Sequence, residues 1–128
     1  MDTIADFLIR IKNAQAAQHQ TVEVPFSKTK FAIAKILLDK GLILGMERKG
    51  VKSKERLEIK LKYNENKPAI TEARRISKPG QRLYARSQDI KPVKQGYGLA
   101  IISTSQGIMT DQEARKRKIG GEILCEIW

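Results

Sequence analysis

The N-terminal third of the chain shows the hydrophobic periods of two helices separated by a strand. Apolar residues recur every three or four positions over residues 3–18 and again over residues 28–40, which predicts two amphipathic helices. "TVEVPF" between them predicts a short strand ended by Pro25, with Ser27 as N-cap of the second helix and Gly41 at its end. The predicted buried positions are Ile4, Phe7, Leu8, Ile11 and Ala14 on the first helix and Phe31, Ile33, Ala34, Leu37 and Leu38 on the second.

Two further strands follow before a polar stretch interrupts the pattern. "LILGMER" and "RLEIKLKY" flank a lysine-rich turn, and in the second strand Leu57, Ile59 and Leu61 alternate with charged residues. The first half is therefore predicted to have the order α-β-α-β-β. "YNENKPA" lacks apolar periodicity and predicts a linker, so we expect one subdomain over residues 1–64 and another over residues 65–128.

The second half predicts a small, mostly antiparallel sheet with one short helix. "AITEARRI" and "SKPGQRLYA" predict two strands paired as a hairpin through a Pro-Gly turn. Residues 99–103 predict an apolar strand, and Thr110 with Glu113 forms a capping box for a helix that ends near Gly120–Gly121.

The last strand, "EILCEIW", is expected to place Ile123, Cys125 and Ile127 on one face because side chains alternate along a strand. The predicted fold class is α+β, with two small α/β subdomains.

The charge of the chain indicates a polyanionic partner. It has 25 Lys and Arg against 14 Asp and Glu, a net charge of +11 and a pI of about 10.0. Both halves are basic, since residues 1–64 carry 13 basic and 7 acidic side chains and residues 65–128 carry 12 and 7. Nucleic acid is the favoured partner, and a membrane is disfavoured because no helix joins a basic face to a large apolar face bearing Trp or Phe. We expect a soluble intracellular protein.

Few residues are suited to catalysis or metal binding. Cys125 is the only cysteine and His19 the only histidine, so a Cys/His zinc site and a Cys–His pair are excluded within one chain. No phosphate-loop motif occurs, and "GYGLAI" lacks the third glycine of a dinucleotide fingerprint. We expect no catalytic residues, no metal, no cofactor and no small-molecule substrate.

"STSQG" at residues 103–107 is the most distinctive polar segment. Its three hydroxyls fit an ordinary turn, but short side chains at a strand end also permit close contact with RNA, and "RKRK" of the following helix can neutralise phosphates. Asp111 and Glu113 oppose an anion at the start of that helix, and we assign them to capping. Tyr84 and Tyr97 could stack on bases, but an aromatic content of 5% favours structured RNA over single strands.

The chain resembles a known family over its full length. "ISTSQGIMTDQEARKRKIGGEILCEIW" resembles the C-terminal signature of the eighth protein of the small ribosomal subunit, of bacterial or organellar type. "DTIADFLIRIKNA", "VPFSKTKFAIAKILLDKGLI" and "RRISKPGQRLYA" resemble its two first helices and its central hairpin. The resemblance implies an N-terminal half like a double-stranded-RNA-binding fold. It also implies binding to a helix in the central domain of small-subunit (16S) rRNA and, in bacteria, repression of the protein's own operon through an mRNA mimic.

Motif matching assigns the main RNA contacts to Ser103, Thr104 and Ser105, which we call the hydroxyl trio, with Gly121–Glu122 and the Lys78–Tyr84 hairpin nearby. Glu122 would accept from a base amino group or orient the loop. With the basic helix added, the predicted main set is Lys78, Arg82, Tyr84, Ser103, Thr104, Ser105, Gly107, Arg115, Lys116, Gly121 and Glu122. The predicted second set, for other RNA segments, is Arg10, Asn13, Ser27, Lys28 and Lys30.

We therefore expect a non-enzymatic rRNA-binding protein that helps to assemble the platform of the small subunit. The fifth small-subunit protein is the expected neighbour, and the location is the ribosome of the cytoplasm, or of the organellar stroma or matrix if the gene is organellar. Two rival hypotheses are a serine hydrolase, which a fluorophosphonate probe would label, and a protein-interaction module, which would shift no rRNA fragment at low salt.

Overall fold

The computed structural model describes residues 2–128 and has the α+β fold predicted from the sequence. No helix in this range is both long and apolar enough to cross a membrane. The helices are α1 (Thr3–Ala16), α2 (Lys28–Asp39) and α3 (Asp111–Arg117). The strands are β1 (Thr21–Pro25), β2 (Ile43–Lys49), β3 (Arg56–Leu61), β4 (Tyr63–Asn64), β5 (Lys67–Pro68), β6 (Ala73–Arg75), β7 (Tyr84–Ala85), β8 (Leu99–Thr104), β9 (Gly107–Thr110) and β10 (Gly121–Ile127).

The first compact unit, Thr3–Ile70, is a three-stranded antiparallel sheet with two helices. Strand β3 is central, in the order β1-β3-β2, and α1 contacts β1 while α2 contacts β2. The predicted alternation in β3 is confirmed because Leu57, Ile59 and Leu61 are all buried. The predicted order α-β-α-β-β is also confirmed.

Helix α2 begins as predicted but buries a different stripe. The Ser27 side chain caps it by accepting from the backbone N–H of Lys30 at 3.1 Å. Phe31 and Leu38, which were expected to be buried, are each 36% exposed, whereas Lys30 is only 5% exposed. The helical period explains the change, because Lys30 lies one turn before the buried Ile33 and Ala34 and so shares their face.

The predicted linker is a short β-hairpin that belongs to the first unit. Strands β4 and β5 pair through Glu65 and Asn66, which both have positive φ, as a tight two-residue turn requires. The Tyr63 hydroxyl donates to the His19 carbonyl at 2.6 Å. Because the hairpin is held in this way, the division between the units comes after Ile70 rather than after Asn64.

The second compact unit contains Thr71–Trp128 and Asp2, and its sheet is built around β10. The strand order is β6-β10-β8-β9, and β7 also pairs with β10. The predicted hairpin between β6 and β7 is therefore wrong in its pairing, since both strands pair antiparallel to β10. Only the turn matches, where Lys78 and Gln81 exchange two backbone hydrogen bonds of 3.0 Å around Pro79–Gly80.

A strand absent from the sequence prediction follows the hydroxyl trio. Strand β9 pairs with β8 through Ser105 and Gln106, so the segment is a hairpin and not a connection from strand to helix. Thr110 then caps α3 by accepting from the Glu113 N–H at 3.1 Å, which confirms the predicted cap. The helix ends earlier than predicted, at Lys118 in the left-handed conformation with φ of 58°.

Strand β10 contains a β-bulge, and the regular alternation of its side chains is interrupted there. Ile123 pairs with Ile102 and Cys125 with Ile101, so Leu124 is the extra residue. Paired residues share a face and successive residues do not, and hence Ile123 lies on the opposite face from Cys125 and Ile127. The prediction that these three residues share a face is wrong. It assumed a regular strand, and strict alternation of side chains does not hold across the extra residue of a bulge.

Cys125 is wholly buried, and burial raises the pKa of its thiol from 9.0 to about 12. The thiolate is the form that reacts with disulfide reagents, so the folded protein should resist labelling at pH 8.

We predict that Ellman's reagent labels Cys125 orders of magnitude more slowly in native buffer than in guanidinium. The labelling rate should rise with the unfolding transition followed by circular dichroism. Labelling in native buffer at the rate of a free thiol would contradict the buried position.

Candidate nucleic-acid interface

The start of β10 lies unusually close to the strands on both sides of it. A Cβ on Gly121 would stand 2.3 Å from the Ser103 carbonyl oxygen, and a Cβ on Gly120 would stand 2.5 Å from the Ala85 carbonyl oxygen. Both contacts are to backbone, which cannot move aside as a flexible side chain can. The two glycines therefore let the ends of β7, β8 and β10 approach one another, and this brings three predicted site segments together.

The hydroxyl trio occupies the end of β8 and the turn to β9. Thr104 Oγ1 accepts from the Gln106 N–H at 3.0 Å and donates to the Gly107 carbonyl at 2.8 Å, so its hydroxyl shapes the turn. Ser105 is exposed at the tip, and Gly107 has a φ of 112° with open space around its α-carbon. Ser103 is partly buried opposite Glu122. The three hydroxyls are thus placed differently, and Ser105 is the most accessible to a ligand.

Glu122 connects the hydroxyl trio to the turn before β7. Its Oε2 accepts from the Ser77 hydroxyl, and the same hydroxyl accepts from the Leu83 N–H at 3.1 Å. Arg82 lies 3.6 Å from Glu122 Oε1. Of the two roles expected for Glu122, these contacts favour the orienting one, because its carboxylate holds the residue 77–83 loop in place.

Ser77 was missed in the sequence analysis, although it is fully buried and holds both the loop and Glu122. A serine beside a Pro-Gly turn is common enough that nothing in the sequence distinguishes it. The exposed side chains of the same loop are predicted site residues, namely Lys78, Arg82 and Tyr84.

The basic residues at the end of α3 divide into paired and unpaired groups. Arg115 contacts the Asp111 carboxylate at 2.8 Å, and Arg117 contacts Glu113 at 2.7 Å and the Gln106 side chain at 3.3 Å. This last contact places the end of α3 beside residues 103–107, which we call the hydroxyl turn. Lys116 and Lys118 are exposed, and neither forms an ion pair within the described part of the chain.

Asp111 has a structural role other than the capping assigned to it. It is buried, and its Oδ1 accepts from the Ala100 N–H of β8 at 3.0 Å while its Oδ2 contacts Arg115. The N-cap of α3 is Thr110. The carboxylate therefore joins α3 to the sheet instead of facing the surroundings.

The second predicted set lies entirely in the first unit, and its members differ in accessibility. Asn13 and Lys28 are exposed, and the exposed Arg10 pairs with Asp6 at 3.0 Å on the surface of α1. Ser27 is used as the N-cap of α2. Lys30 donates to the Pro25 carbonyl at 3.1 Å, and burial lowers the pKa of its ammonium. Arg10, Asn13 and Lys28 are thus the members of this set that a ligand can reach.

Among residues 2–128, no group of three His, Cys, Asp or Glu side chains could hold a metal ion. The second unit instead offers a hydroxyl turn, a rigid loop with Lys78 and Arg82, and a basic helix end. These are the groups that contact sugars and phosphates in protein complexes with nucleic acids. The fold and this surface define a small, basic, two-unit α+β protein with the chemistry of an RNA-binding protein.

Comparison with known proteins gives the family. A family model described as "Ribosomal protein S8" matches residues 2–128, and the chain belongs to this family. A protein of Caldanaerobacter subterraneus named "Small ribosomal subunit protein uS8" is 52% identical over 128 residues, covering 99% of this chain and 97% of that protein. Proteins of the same name from Caldicellulosiruptor bescii and Mycoplasma mobile are 51% and 48% identical. They cover 100% and 99% of this chain, and 98% and 96% of their own lengths.

The close approach at the start of β10 can be tested with an alanine substitution. We predict that Gly121→Ala lowers the free energy of unfolding by about 1–3 kcal/mol, because the added Cβ must displace the Ser103 backbone. Gly80→Ala is the matched control, since no atom lies within 4 Å of its Cβ, and it should change the free energy by less than about 0.5 kcal/mol. Guanidinium unfolding measures both, and equal values for the two variants would refute the proposed contact.

Proposed function

We propose that this protein is a non-enzymatic constituent of the small ribosomal subunit that binds small-subunit rRNA directly. Its membership of the ribosomal protein S8 family supports this function. So do the relatives named as small-subunit ribosomal proteins, which are about 50% identical to this chain over nearly their whole length. The net charge of +11 suits a phosphate-rich partner. The proposed RNA target is a helix in the central domain of 16S rRNA, where the protein helps to assemble the platform.

The observation that carries the proposed site is the β8–β9 hairpin with its exposed Ser105. Short hydroxyl side chains can reach sugar edges or bases without holding the RNA backbone away. The neighbouring Lys116 and Lys118 are free of ion pairs among the described residues, so their charges are available for phosphates. We propose that these residues, with Lys78, Arg82 and Tyr84, contact one face of the RNA helix.

The basic side chains and the hydroxyl turn make different contributions to RNA binding. Lysine and arginine neutralise phosphates and release counterions, which gives affinity that falls with salt and depends little on sequence. The hydroxyl turn depends on a rigid frame, because a contact made by a side chain of one or two heavy atoms is lost after a small displacement. Ser77, Glu122 and Gly121 supply that frame, and so we propose that they position the site rather than contact the RNA.

A second surface on the first unit is proposed to meet other rRNA segments. Arg10, Asn13 and Lys28 are its exposed members, while Ser27 and Lys30 support the helix that presents Lys28. Arg10 pairs with Asp6 at the surface. Such an exposed ion pair contributes little to stability, so replacing Asp6 with an RNA phosphate as the partner of Arg10 costs little free energy.

We further propose the fifth small-subunit protein as the neighbour in the ribosome, and the protein's own operon mRNA as a second RNA ligand. The mRNA would bind at the hydroxyl turn if it presents the same shape as the rRNA helix. The proposed location is the ribosome of the cytoplasm, or of the organellar stroma or matrix for an organellar gene.

The proposed site can be tested by comparing specific with non-specific binding. Ser105→Ala should weaken binding to a central-domain rRNA fragment by about 1–3 kcal/mol and leave binding to random duplex RNA unchanged. Lys116→Ala should weaken both and lower the slope of log K against log salt by about one unit. Filter binding at several salt concentrations measures these quantities.

Gln112→Ala, on the exposed side of the same helix, is the control and should match the wild type. Equal losses on specific and random RNA for Ser105→Ala would contradict a selective role for the turn. Failure of the wild type to bind any small-subunit rRNA fragment would overturn the proposed function.

A further inference from the structure

The connector between Ile90 and Gly98 carries the most exposed large apolar side chain on the described surface. The Tyr97 side chain is 93% exposed, whereas Ile90 and Val93 of the same connector are buried against the core beneath β8 and α3. Tyr97 also lies outside the proposed hydroxyl site, which occupies the other end of β8. Neither the core nor that site therefore accounts for the position of this ring.

The backbone that carries Tyr97 is fixed at both ends. Lys94, Gln95 and Gly96 follow one another with φ of 49°, 56° and 100°, and two hydrogen bonds of 3.1 Å close the turn from Tyr97 to Lys94 and from Gly98 to Val93.

Gly98 is also tightly enclosed, because a Cβ there would lie 2.8 Å from Val93 Cγ1 and 2.9 Å from both the Ile127 carbonyl and Trp128 Cβ. Tyr97 is therefore an aromatic side chain held out from a fixed turn, and little backbone entropy would be lost when a ligand orders it.

The segment that carries Tyr97 suits RNA better than an apolar protein pocket. Residues 90–98 contain two lysines and no acidic residue. Lys91 is exposed, and the Lys94 ammonium lies 4.5 Å from the centre of the Trp128 ring. An exposed ring on a basic segment offers a surface on which an unpaired base can stack, while an exposed lysine of the same segment neutralises a flanking phosphate.

The position of Tyr97 indicates which part of an RNA it would meet. Leu99 and Ser103 are four residues apart in β8, so at about 3.3 Å per residue their α-carbons are about 13 Å apart, and Tyr97 precedes Leu99 by two further residues. One nucleotide cannot contact both residues, so the base that meets Tyr97 would belong to a separate segment of the same RNA.

We propose that Tyr97 is a second RNA contact of the C-terminal unit. Its ring stacks on an unpaired base, in a bulge or loop of the rRNA bound at the hydroxyl turn, and Lys91 neutralises an adjacent phosphate. This inference rests on the proposed rRNA-binding function and adds a contact with unpaired RNA to a site otherwise suited to a helix.

Substitutions that remove the ring, or only its hydroxyl, test this contact. Tyr97→Ala should weaken binding to a central-domain rRNA fragment about tenfold, whereas Tyr97→Phe keeps the stacking surface and should stay within about twofold of the wild type. Lys91→Ala should lower the salt slope by about one unit. Thermal unfolding should be unchanged in all three variants, because the substituted side chains are exposed.

Chemical probing of the bound RNA separates this inference from the proposed function. At least one unpaired nucleotide should be protected by the wild type and by Tyr97→Phe but reactive with Tyr97→Ala, and Ser105→Ala should expose different nucleotides. If Tyr97→Ala binds with wild-type affinity and an unchanged protection pattern while Ser105→Ala does not, the stacking contact is refuted and the proposed function stands. A wild type that binds no rRNA refutes both.

Discussion

The second unit depends on the approach of three backbones at the start of β10. Gly120 and Gly121 pass so close to Ala85 and Ser103 that no side chain fits at either position. This contact fixes β7 and β8 on the two sides of one strand, and Glu122, the next residue, reaches Ser77 and the loop that follows it. The hydroxyl turn and the basic loop are therefore positioned by the same short segment, so a disturbance there would affect both stability and RNA binding.

The local elements could be predicted because each depends on nearby residues. The Ser27 and Thr110 caps and the alternation in β3 have short-range physical causes, and the structure contains all of them. The pairing of β6 and β7 with β10, the bulge at Leu124 and the buried Ser77 depend on residues distant in the chain. A single sequence without these contacts gives no signal that distinguishes them from a simple hairpin, a regular strand and an ordinary turn.

The candidate site could be predicted in part for a similar reason. Net charge and the hydroxyl trio are visible in the sequence, and so is the resemblance that names Gly121 and Glu122. The accessibility of each charge is not visible, because it depends on folded partners. Arg115 is engaged by Asp111 and Lys30 by the Pro25 carbonyl, whereas Lys116 and Lys28 remain exposed. In a chain with 25 basic residues, the structure is needed to decide which of them can face a phosphate.

We propose that the segment around the start of β10 presents one continuous RNA-binding surface on the second unit. The most direct measurement is an NMR titration of the isotope-labelled full chain with a central-domain rRNA fragment. We predict that the amide signals of residues 78–84, 103–107 and 121–122 shift together at the lowest RNA concentrations. Shifts confined to the first unit, with these three segments unchanged, would contradict the account.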